Sequence, residues 1–123
     1  MQINKVSLEN KFKLFSDQWS PKVLGTLNNQ AVKIAKLEGE FDMHHHENED
    51  ELFLVIEGYL RIEFDNQDPV ELEAGEFVIV LKGQAHKPIA DKGEVKVLLF
   101  EPETTLNTGN LRNERTKDSL DEI

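Results

Sequence analysis

Between about Val32 and Phe100 the chain repeats one pattern: short runs rich in Val, Ile, Leu and Phe, each ended by Gly, Asn, Asp or Pro. β-branched and aromatic side chains fit a pleated, half-buried surface, and the punctuating residues fit turns. Turn signals about every ten residues point to an all-β barrel or sandwich. Leu52–Ile56 is a continuous apolar strand candidate, Gly58 breaks it, and Tyr59–Phe64 resumes with Leu60, Ile62 and Phe64 alternating with polar neighbours. That pair reads as a hairpin. Asp65–Pro69 is a turn cluster, and Val70–Glu73, Phe77–Leu81 and Val95–Phe100 are further strands, with turns at Ala74-Gly75 and Lys82–Gln84.

The ends are different in character. Val6 to Trp19 has scattered apolar positions, and Thr116 to Ile123 could make a short helix with Leu120 and Ile123 on one side. With 123 residues, the chain fits one domain spanning 1–123, with a barrel core at about 32–101. No internal repeat or low-complexity tract argues for a second.

Charge narrows the partners. Fourteen basic against twenty-four acidic residues give a formal charge of −10, which repels phosphate backbones and anionic lipid. Nucleic acid and membrane surfaces are therefore poor partners, and a small-molecule ligand is the better expectation. The first twenty residues mix Lys, Asn, Glu and Asp among apolar positions, unlike a signal peptide, so a cytoplasmic protein is expected. Cysteine is absent, so any bound metal must be held by nitrogen and oxygen donors.

Such donors are present. His44 and His46 stand two apart, so on a strand both point to one face while His45 points to the other. Glu51 follows the polar stretch Glu47–Asp50, which can fold its carboxylate back towards the two rings. Glu47, Glu49 and Asp50 themselves read as a solvated loop. His86 lies on a separate strand entry after Gly83, and only closure of a sheet would carry it to the others. A His-x-His pair alone arises by chance in surface loops, so it is the set of four that argues for a site. Three imidazoles and a carboxylate suit one divalent transition metal, Fe, Mn, Ni, Co, Cu or Zn, without singling one out.

These residues resemble the two motifs of the cupin superfamily. The first, Gly-x5-His-x-His-x3,4-Glu-x6-Gly, appears as Gly39, His44, His46, Glu51 and Gly58, with four residues after Gly39 where the pattern has five. The second, Gly-x5-Pro-x-Gly-x2-His-x3-Asn, appears as Gly75, Gly83 and His86, with Leu81 in place of Pro and Ala90 in place of Asn. Glu101–Asn110 and the early Phe15–Pro21 look like a group of small single-domain bacterial cupins labelled as resembling mannose-6-phosphate isomerase. The resemblance implies a double-stranded β-helix, or jelly-roll, barrel with metal inside its mouth, and a homodimer. Trp19 and the N-terminal segment would then cover a sheet edge or plug one end of the barrel.

The cupin fold serves isomerases, dioxygenases, cyclases, storage proteins and sensors, so the metal must carry the functional expectation. A metal-dependent enzyme acting on a small oxygenated organic molecule, of isomerase or dioxygenase type, comes first. A non-catalytic binding or sensing module is the alternative, and a purely structural metal site ranks last. No general base is evident; Tyr59 and Arg61 share a strand face and are the candidate substrate-pocket residues. Because histidines must lose protons to bind metal, affinity is expected to fall as pH drops through about 6.

Overall fold

Two long strands organise the barrel. Gln30–Glu40 (β2) carries Ala31, Lys33, Ala35 and Leu37 on its buried face, and His86–Pro102 (β7) carries Val95, Val97, Leu99 and Glu101. They run antiparallel from Gln30↔Pro102 to Leu37↔Val95, and pairing resumes after a shift at Gly39↔Ala90. The computed structural model describes residues 2–123, and five further strands complete a seven-stranded antiparallel sheet: Lys22–Leu27 (β1), Glu51–Glu57 (β3), Tyr59–Phe64 (β4), Val70–Glu73 (β5) and Phe77–Val80 (β6). This is the all-β jelly-roll expected from the sequence.

β7 closes the barrel because it serves both walls. Its first part pairs with β4 from Phe64↔His86 to Arg61↔Ile89, and its second part pairs with β3 from Leu52↔Phe100 to Val55↔Val97. Between them Asp91, Lys92, Gly93 and Glu94 are exposed, and the chain turns there from one wall to the other.

The expected β3–β4 hairpin does not form. β3 pairs with β6 and β7, whereas β4 pairs with β5 and β7. Gly58 explains the difference: at φ +100 it carries the chain from one wall to the other, and a Cβ there would meet the Glu94 carbonyl oxygen at 3.0 Å. A break in an apolar run marks a crossing of this kind as well as it marks a hairpin turn.

The core is one cluster drawn from β2 to β7, including Leu37, Phe53, Val55, Leu60, Ile62, Leu72, Val80 and Val97. Period-two alternation puts these side chains inward, and Val55, Leu60, Ile62, Val95 and Val97 are fully shielded from solvent.

Three features lie outside the sequence expectation. β1 precedes the expected core and joins β2 through Asn28 and Asn29, both at positive φ as a tight two-residue turn requires. Leu8–Phe12 forms a short helix (α1) capped by Ser7, whose hydroxyl accepts from the Asn10 amide at 3.2 Å. Thr116–Ile123, by contrast, is not helical. Eight residues make a marginal helix without a packed face, and here β1 takes the backbone instead: Val23 N donates to the Asp121 carbonyl at 2.9 Å and Ile123 N to the Val23 carbonyl at 3.1 Å. Among the described residues no helix is long and apolar enough to cross a membrane.

Candidate metal centre

His44 and His86 form a two-residue ladder, His44 N to the His86 carbonyl at 3.0 Å and the reverse at 2.8 Å. Residues facing each other across such a pair project to the same side, and the ring centroids lie 4.3 Å apart. His46, two positions on, projects to that side too, 5.1 Å from the His44 ring and 5.6 Å from that of His86. Its carbonyl is held by the Gly83 amide at 2.7 Å. Glu51 opens β3, and its Oε1 lies 3.4 Å from His46 Nε2 and 3.2 Å from His86 Nε2. Each of the four residues offers a ligand atom within 4.8 Å of the others, and none is more than 6% exposed.

The surroundings orient these donors. The Nδ1 of His44 lies 2.8 Å from the Asp42 carbonyl, and that of His86 lies 2.9 Å from the Gln84 carbonyl. A carbonyl oxygen only accepts, so each Nδ1 carries the proton and each Nε2 presents a lone pair, the arrangement typical of metal-ligating histidines. His46 Nε2, His86 Nε2 and Glu51 Oε1 are buried with no hydrogen-bond partner. Three imidazole nitrogens and a carboxylate oxygen, buried and convergent, three of the four unmatched, could hold one divalent transition metal ion.

Electrostatics agree. Burial lowers the His44 pKa from 6.5 to about 4, and the charges of His86 and His46 add to this against the Asp42 hydrogen bond and Glu51. His44 is therefore already unprotonated near pH 6. Burial alone would push the Glu51 carboxyl upward, but the adjoining His46, His86 and Glu101 side chains outweigh it and hold the group well below the usual carboxylate range.

His45 faces away, as strand alternation requires. Its Nε2 lies 2.6 Å from Glu47 Oε1, and its backbone amide donates to Asn110 Oδ1 at 2.9 Å. Tyr59 and Arg61 are not brought to the site. Leu60 and Ile62 take the inward positions of β4, so Tyr59 and Arg61 face out, bonded to Glu71 at 2.5 Å and Asp91 at 2.9 Å.

A cavity of about 40 Å3 adjoins the cluster, walled by His44 and Glu51 and by Trp19, Phe41, Phe53, Leu99, Glu101 and Asn107 among others. Trp19 lies along β2 and walls the cavity. Its N and Nε1 donate to the Lys36 and Glu38 carbonyls of β2, each at 2.9 Å, while its ring stacks on Phe41 at 4.9 Å. The sequence reading missed Lys33 and Glu101, both buried and bonded at 2.9 Å. The signal was available: each is a charged residue in the inward phase of an otherwise apolar alternation, Ala31-x-Lys33-x-Ala35 and Val97-x-Leu99-x-Glu101.

Residues 31–102 match the Cupin domain family, and the chain belongs to that family. A crystal structure of a cupin-2 domain protein from Shewanella frigidimarina is 42% identical, with a TM-score of 0.76 over 80% of this chain and 94% of that one. The uncharacterized protein YdbB of Bacillus subtilis is 38% identical over 64 residues, which span 52% of this chain and 57% of YdbB. Fold alone is shared with hydroquinone 1,2-dioxygenase PnpCD, 17% identical with a TM-score of 0.66 over 84% of this chain and 80% of that one, whose structure holds Cd2+ and 4-hydroxybenzonitrile.

Proposed function

We propose that this cupin is a metal-dependent enzyme acting on a small oxygenated organic molecule, by isomerase or dioxygenase chemistry, with His44, His46, Glu51 and His86 as the ligands of one divalent transition metal. The observation that carries this reading is the meeting of four buried donors whose ligand atoms, on three of them, lack any other partner. When bound, such an ion supplies Lewis acidity towards an oxygen of the substrate. The chain's own residues do the rest. The Asp42 and Gln84 carbonyls fix the ring orientations, Glu51 supplies the negative charge that balances a cation, and Trp19, Phe41 and Phe53 give the cavity an apolar wall.

The likeness to mannose-6-phosphate isomerase-like cupins brings sugar phosphates into consideration. Among the described residues lining the cavity there is no lysine or arginine to take a phosphate, and the apolar wall favours an uncharged molecule. A second reading, a ligand-holding module without turnover, draws support from the enclosure of the cluster: a Cβ on Gly109 would meet His44 Cδ2 at 2.9 Å, so the C-terminal segment lies directly over the mouth. We further propose a cytoplasmic homodimer. The absence of cysteine supports the location, and the dimer draws support from Phe77, Ile79 and Leu81, 52 to 64% exposed along or just past edge strand β6.

Elemental analysis of tag-free protein tests the site, with about one equivalent of divalent metal expected and most of it lost in Glu51→Ala and His86→Ala. Variants that keep the wild-type metal content would sink the assignment. Enzyme and binder then separate on metal-loaded protein offered diketones, phenols and sugar phosphates, by following product formation and oxygen uptake. Ligand binding without turnover across that panel would favour the module.

A further inference from the structure

Glu101 is the buried acid of the cavity that the metal cluster does not use. It closes the inward run Val95, Val97, Leu99, Glu101 on β7 and is 3% exposed. Its Oε1 accepts from Lys33 Nζ at 2.9 Å, whereas its Oε2 is buried with no hydrogen-bond partner. Native interiors rarely leave such an atom unmatched without a reason.

Apart from the Glu51 carboxyl, which lies against it, the neighbours do not supply that match. Asn107 also borders the cavity, but its Nδ2 donates to the Arg115 carbonyl at 2.8 Å and its Oδ1 accepts from the Lys117 amide at 2.8 Å. Trp19 Nε1 is committed to Glu38. Much of the remaining lining, including Ala35, Leu37, Phe53, Val97 and Leu99, is apolar. The carboxyl of Glu101 lies against that of Glu51, so a ligand oxygen on Glu101 would sit within a few bonds of one directed to the metal cluster. The cavity is small, about 40 Å3, which favours ligands of only a few heavy atoms.

Resting on the metal reading above, we propose that Glu101 is the second polar anchor of the site, selecting small uncharged molecules with two oxygen functions on neighbouring carbons. One oxygen goes to the metal and the other to Glu101 Oε2. Lys33 is a positioning residue, since its bond occupies Oε1 and leaves Oε2 without a partner. The remainder of the ligand meets the apolar wall.

Cobalt-loaded full-length protein, titrated while its visible absorption is followed, provides the test. The probes are hydroxyacetone and butanone, which differ by one hydroxyl in place of one methyl. Wild type is expected to favour hydroxyacetone about tenfold, the effect of one buried hydrogen bond. Replacing both partners with apolar groups, as Lys33→Met/Glu101→Leu, avoids stranding a buried lysine and should remove most of that preference with cobalt stoichiometry unchanged. If this packing fails to fold, Lys33→Leu/Glu101→Met provides the same apolar replacement. An equal preference in wild type and the double variant would mean that the metal alone reads the hydroxyl, and would overturn the role of Glu101. Failure of wild type to take up cobalt would overturn the metal reading and this proposal with it.

Discussion

The closed end of the barrel and its mouth are built by the same strands to the same degree of burial, with opposite chemistry. Along β7 the inward residues are Val95, Val97 and Leu99 and then Glu101; along β3 they run from Val55 through Phe53 to Glu51. At one end Val55, Leu60, Ile62 and Val95 have no exposure, and at the other His44, His46, Glu51, His86, Lys33 and Glu101 are 6% exposed or less. Apolar burial stabilises the first group, whereas burial of the second costs free energy unless every charge finds a partner. The closed end therefore holds the fold, and the mouth spends part of that stability on an arrangement of donors.

The strongest way to break this comparison is to damage the closed end and watch the mouth. Leu60→Ala removes a fully buried side chain and should cost roughly 2 to 5 kcal/mol in urea unfolding. Below its own melting temperature the variant should still take up one equivalent of metal. Loss of metal by a folded Leu60→Ala would show that the two ends are not separable.

A change of pH attacks the mouth and spares the closed end. In the metal-free protein His44 has a folded pKa of about 4 against 6.5 for the free side chain, so below pH 6.5 the unfolded chain binds a proton that the folded one refuses. The resulting stability is fully present above pH 6.5 and is lost as pH falls towards 4, a contribution on the order of 3 kcal/mol. Urea titrations of metal-free protein at pH 7 and pH 4.5 should show a smaller loss in His44→Asn than in wild type. Equal losses would mean that His44 is freely protonated in the folded state.

The two ends were unequally legible in the sequence. Alternation disclosed the core strands because every second residue of Leu60, Ile62 and Val95, Val97, Leu99 is apolar, and motif spacing disclosed the four donors because spacing survives in one dimension. Which strands pair did not survive. Leu52–Ile56 and Tyr59–Phe64 are adjacent in the chain yet lie in different walls, since sequence proximity says nothing of where a glycine sends the backbone. Lys33 and Glu101 went unread for a related reason: they are 68 positions apart, and only the Ala31↔Glu101 register of β2 and β7 brings them together.

Gly58 is the hinge of that comparison. Ala there must hold a φ near +100 and bring its Cβ 3.0 Å from the Glu94 carbonyl oxygen. Gly58→Ala should therefore cost about 1 to 3 kcal/mol, less than Leu60→Ala at the upper end of its range, with metal content unchanged. Stability equal to wild type in urea would show that the crossing between walls needs no glycine.

The smallest effect is expected at Arg61, which shares β4 with Leu60 and Ile62 but points the other way. Its guanidinium bonds Asp91 at 2.9 Å and approaches Glu63 at 3.4 Å, and both partners are more than a third exposed. Exposed pairs of this kind contribute little, because water and salt screen them and ordering the long side chain opposes them. Arg61→Ala should leave the melting temperature, the metal content and the preference for hydroxyacetone over butanone as in wild type. A clear loss of that preference would return Arg61 to the substrate pocket and place a functional surface on the outer face of β4, where only a rearrangement of the wall could carry it to the mouth.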